Sequence, residues 1–62
     1  MLKVLLIDDE QRATDALRLM IVKTIPEIDE VIVCNDSRLA AEKIHQHQPE
    51  LVEVCGAAAV IG

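Results

Sequence analysis

The feature that most restricts this chain is an aliphatic run that ends in charge: "KVLLID", Lys3 to Asp8, with Asp9 and Glu10 directly behind it. A strand with one wet face would alternate apolar and polar residues, whereas this run is nearly continuous and rich in branched side chains. It therefore predicts a strand buried on both faces, as in a parallel sheet. From Gln11 the period changes. Ala13, Ala16, Leu17, Met20, Ile21 and Thr24 recur at helical spacing, while Arg12, Asp15, Arg18 and Lys23 mostly fall elsewhere, which predicts a first helix. Pro26 disfavours helix at Ile25, and the acids of "IPEIDE" mark a solvated loop.

"VIVCN", Val31 to Asn35, is again short, apolar and β-branched, and predicts a second strand. The following "DSRLAAEKIHQHQ" predicts a second helix, with Asp36 or Ser37 as its N-cap and Leu39, Ala40, Ile44 and His47 as its inner stripe. Pro49 punctuates the exit. "ELVEVC", Glu50 to Cys55, then begins a third strand interrupted by Glu53, and "GAAAVIG" beyond it shows no strong pattern. Strand, helix, strand, helix, strand makes two successive crossover units and an α/β fold with a parallel sheet. In such sheets ligands gather at the carboxyl ends of the strands, where strand order reverses. Asp8, Asp9 and Glu10 lie at that end of the first strand.

Composition narrows the options further. Apolar residues make up 52% of the 62, yet Phe, Trp and Tyr are absent, so Leu, Ile, Val and Ala must fill the core. A chain this short buries only about 60% of its unfolded surface. It is expected to lean on a partner, on homo-oligomerisation or on the remainder of a larger domain. The net charge of −5 argues against binding a nucleic-acid backbone and suits a cation or a basic protein face. Cys34 and Cys55 form no C-x-x-C pair and read as free buried thiols. No signal peptide and no apolar run of about 18 residues is evident, so the expectation is a cytoplasmic protein without a membrane span.

Two adjacent carboxylates repel, and one is driven toward protonation unless a cation compensates them. Magnesium suits that role, since it takes one or two carboxylates and completes its octahedron with waters and phosphate oxygens. The alternative is structural: Asp8, Asp9 or Glu10 caps the first helix and favours its positive end. Spacing alone leaves both readings open. His45 and His47 stand two apart in a predicted helix, do not face each other, and read as surface residues. Cys55 could be a reactive thiol beside a metal, or simply a small hydrophobe ending a strand. "GAAAVIG" lacks the Gly-Lys-Ser/Thr of a phosphate loop.

Read together, "KVLLIDDEQRATDALRLMI", "PEIDEVIVCNDSRLAAEKI" and "HQPELV" resemble the amino-terminal half of response-regulator receiver domains. The resemblance covers residues 1–52, about half of a domain of roughly 120 residues, and leaves 53–62 as a divergent tail. It implies a flavodoxin-like α/β fold, here a β-α-β-α-β half-domain with strand order 2-1-3. It also implies magnesium at Asp8 and Asp9, phosphoryl transfer from a sensor histidine kinase to an aspartate ending the third strand, and control of an output domain or partner. A metal that neutralises charge and aligns the atoms is what lets a carboxylate attack phosphate.

The tail departs from that pattern. The phosphoacceptor should stand six positions after Pro49, and that position is Cys55. Glu53 occupies a place that should be apolar, and alternation is expected to turn it to the wrong side of the strand. The expectation is therefore a truncated receiver domain, its tail the product of a reading-frame change or of cloning, with residual magnesium affinity at Asp8 and Asp9. It would act in two-component phosphorelay signalling without being an enzyme, with a sensor histidine kinase or another receiver domain as partner. The alternative is a non-phosphorylatable pseudo-receiver serving as an interaction or dimerisation module through an exposed helix and the free edge of strand three. A magnesium-dependent phosphohydrolase is a third reading, but such enzymes use D-x-D, whereas this chain has Asp-Asp-Glu.

Overall fold

A computed structural model describes residues 2–54 and 57–60. Strand β1 spans Lys3–Ile7, helix α1 Gln11–Thr24 and strand β2 Glu30–Cys34. A 3-10 turn, Ser37–Leu39, leads into helix α2, Ala40–His47, and strands β3 and β4 follow at Leu51–Val54 and Ala57–Val60. The sheet order is β2-β1-β3-β4. Both β2 and β3 run parallel to β1, with Leu5 opposite Ile32 on one side and Val52 on the other. The chain thus forms the three-stranded parallel sheet of order 2-1-3 with two helices, the flavodoxin-like arrangement.

The fourth strand was not legible, and it corrects the expected free edge of strand three. β4 pairs antiparallel with β3, from Leu51 opposite Val60 to Val54 opposite Ala57. Only two residues separate these strands, too few for the crossover that parallel pairing requires. β3 itself runs across the junction between residues 52 and 53.

Burial of β1 on both faces accounts for the opening run. Val4, Leu5, Leu6 and Ile7 are each 3% exposed or less. Alternation along the strand sends Leu5 and Ile7 to one face, where Cys34 and Val52 join them beneath Ala40 and Ile44 of α2. Val4 and Leu6 point the other way and pack with Ile21 and Leu17 of α1. Each helix therefore covers one face of the same short strand.

The helices meet the sheet on narrower faces than their periodicity suggests. In α1, Thr14 and Ile21 are buried and Leu17 is half-buried, whereas Met20 is 55% exposed and Ala13, Ala16 and Thr24 are also exposed. Leu39, expected in the inner stripe of α2, is exposed instead. It ends the 3-10 turn, whose tighter winding puts it out of phase with the α-helix that follows.

Local chemistry sets the connections. The Asp36 carboxylate accepts the Arg38 amide at 3.0 Å, so it caps the 3-10 turn, and it pairs with the Arg38 guanidinium at 2.9 Å. The side-chain bond from Arg38, reinforced by its amide, holds the Asp36 carboxyl below the usual range. At the exit of α2, Gln48 takes a left-handed conformation, φ 49°, and its amide donates to Ile44 O at 2.8 Å. Pro49 is then buried. The Glu50 amide donates to Lys3 O, while the Glu50 carboxylate accepts the Lys3 amide at 2.6 Å. Asp29 accepts the Leu2 amide at 2.6 Å in the same manner, so the start of β1 is anchored from both sides. Among the described residues no helix is long and apolar enough to cross a membrane.

Two stability measurements follow from these contacts. Leu5→Ala should cost about 2 to 5 kcal/mol, enough to abolish cooperative urea unfolding in a chain this small, whereas Leu19→Ala on the exposed side of α1 should change the midpoint little. Gln48→Gly should raise stability by about 1 kcal/mol in the same assay, because glycine carries no Cβ penalty in the left-handed region.

Candidate functional site at the carboxyl edge of the sheet

The site begins where β1 stops. The Asp8 amide still donates to Cys34 O at 3.1 Å, one step beyond the assigned strand, and Asp8 is half-buried while Asp9 and Glu10 are exposed. Asp8 Oδ1 accepts the Glu10 amide at 2.9 Å, which turns the chain toward α1. Glu10 holds the N-cap position, its carbonyl accepting the amides of Ala13 and Thr14, but its side chain makes no capping bond. The helix is therefore not capped by a carboxylate. One oxygen of Asp8 is used in the turn, and the carboxylates of Asp9 and Glu10 accept no hydrogen bond among the described residues.

A clasp that the sequence did not single out holds this corner. Asn35, the residue after β2, donates both hydrogens of Nδ2, to Asp8 O at 2.9 Å and to Thr14 Oγ1 at 3.0 Å. Thr14 is only 2% exposed, and its hydroxyl donates in turn to Gln11 O at 2.9 Å. The ends of β1 and β2 and the first turn of α1 are thus joined through one amide and one hydroxyl. The available signals were an Asn closing an aliphatic strand and a Thr at position 14, on the sheet-facing side of α1.

Asp8 and Asp9 follow one another at the rim, and a pair of carboxylates is a donor set that suits a partly hydrated magnesium ion. Among the described residues no group of three or more His, Cys, Asp or Glu side chains is gathered as a metal site. Cys55, expected at the phosphoacceptor position, lies outside the described residues. His45 is exposed and His47 half-buried, its carbonyl accepting Lys3 Nζ at 3.3 Å. Cys34 is a buried free thiol, as expected, and its Sγ donates to Asp36 O at 3.0 Å.

A groove of about 330 Å³ runs beside the acids, between Ala13, Ala16 and Met20 of α1 and the sheet at Leu6, with Asp8 and Glu53 in its lining. Glu53 was expected to face the wrong side of its strand. It is instead opposite Leu6 in the parallel register and faces the same groove as Asp8. Alternation counted from a position two residues away returns to the same face, which is the physical reason for the correction.

No family model matches this chain, and neither a curated protein nor a solved structure matches it significantly.

The clasp generates a direct energetic test. In a double-mutant cycle, Asn35→Ala and Thr14→Val should show a coupling of about 0.5 to 1.5 kcal/mol in unfolding free energy. Additive effects would mean that the two side chains act separately.

Proposed function

We propose that this chain is a receiver-type signalling segment of a two-component phosphorelay, corresponding to the amino-terminal half of such a domain. The observation that carries this reading is the position of Asp8 and Asp9 at the carboxyl end of β1, between two parallel neighbours in the order 2-1-3. That is where a sheet of this kind collects its ligands. Asn35 and Thr14 support it by fixing the backbone at Asp8, so that the carboxylates project from a defined corner.

In this proposal Asp8 and Asp9 retain weak magnesium affinity, and the ion supplies charge neutralisation at the rim. The chain accepts no phosphoryl group, because a thiol at Cys55 stands where an acceptor carboxylate would be needed. Its partner is a cytoplasmic sensor histidine kinase or another receiver domain. The pseudo-receiver alternative gains from a separate observation: Leu19 and Val22 of α1 are 63% and 58% exposed, an apolar surface available to a partner or a second copy.

Magnesium titration followed by amide chemical shifts should perturb Asp8, Asp9 and Glu10 at millimolar concentrations, and Asp8→Asn with Asp9→Asn should remove the response. Incubation with acetyl phosphate and magnesium should leave the intact mass unchanged. A base-labile adduct of one phosphoryl group would overturn the claim that the acceptor is missing.

A further inference from the structure

Glu53 has no part in the proposed magnesium site at Asp8 and Asp9. It interrupts the aliphatic pattern of β3, is half-buried, and lines the floor of a groove otherwise walled mainly by apolar side chains of α1 and β1. Among the described residues its carboxylate makes no ion pair and no hydrogen bond, its oxygens reach solvent, and the salt bridge between Arg38 and Asp36 lies elsewhere. A carboxylate at the side of an apolar groove offers a cation one charge contact, and the apolar walls favour a cation with an apolar body. Among the described residues the other charged member of the lining is Asp8, also an acid, and no basic side chain lines the groove.

We propose that the groove between α1 and β3 is a binding site for a small organic cation, an alkyl- or arylammonium. Its body lies against Leu6, Ala16 and Met20, and its ammonium group meets Glu53. The volume of about 330 Å³ is at the small end of ligand pockets and matches a compact molecule. The open position of Met20, 55% exposed, adds an adaptable apolar wall at one side. A second copy of this chain is a poor occupant, because at a net charge of −5 it would bring further acids to an acidic groove.

The test uses benzylammonium, with benzyl alcohol and benzoate as uncharged and anionic counterparts, and follows amide shifts of the full chain by NMR. Benzylammonium should bind with its largest shifts around Leu6, Ala16 and Glu53, and about fivefold more tightly than the alcohol, the scale of one half-exposed charge contact. Benzoate should bind most weakly. Glu53→Gln should reduce benzylammonium to the affinity of the alcohol, and Ala16→Leu, which fills the groove but keeps Glu53, should weaken both. Circular dichroism establishes that each variant retains the fold. Absence of benzylammonium binding to the unaltered chain, equal affinity for ammonium and alcohol, or an ammonium affinity indifferent to Glu53→Gln would each overturn the proposal. None of these outcomes depends on magnesium or phosphorylation.

Discussion

The structure depends on β1 being covered on both faces. Four of its five residues supply aliphatic side chains alternately to two cores, and neither helix contributes enough apolar surface to make a core without it. Once β1 is central, β2 and β3 must pair on either side of it, and α1 and α2 must lie on opposite faces. The sheet order follows from the burial requirement of one short strand. So does the position of the acids, because the first residue that cannot be buried, Asp8, marks the end of that strand.

This dependence explains why the architecture was legible. Continuous aliphatic runs at Val4 to Ile7 and Val31 to Cys34 carry their own message, since desolvating both faces admits few polar substitutions. The helical segment between them was equally clear in type. Its orientation was less clear: the stripe through Ala13, Ala16 and Met20 has the right period, yet those residues border a groove while Thr14 reaches the sheet. Period reveals that one side of a helix is apolar, but what lies against each part of that side is a tertiary matter. β4 was invisible for a related reason. Alanine has little strand propensity, and the pairing of Ala57–Val60 is decided by proximity to the edge of β3 rather than by pattern.

The site was legible only in its charges. Asp8 and Asp9 stand out in the sequence because an acid after an aliphatic strand is conspicuous. Asn35 and Thr14 do not, although they set the geometry of that corner. A polar residue at a strand terminus or on a mixed helix face has many ordinary explanations, and its partner lies 21 positions away in the chain. Glu53 was conspicuous as an interruption, but its direction depended on register with β1.

The acids beside the two ends of β1 meet different fates, and the polarity of parallel strands explains the difference. At the amino edge the strand starts present backbone amides, and Asp29 and Glu50 accept from Leu2 and Lys3 at 2.6 Å each. Those carboxylates are compensated by the fold itself. At the carboxyl edge the strands present carbonyl oxygens, which offer an acid nothing. There Asp8 obtains one donor only by turning back onto the Glu10 amide, and its carbonyl needs the Asn35 side chain as a donor. Asp9, Glu10 and Glu53 find no donor among the described residues. Asp36, after β2, is paired with Arg38 at that edge, so the charge left without a donor there belongs to the acids beside β1 and β3, and it gives a cation of either proposed kind, a metal ion at the rim or an ammonium in the groove, its electrostatic reason to bind.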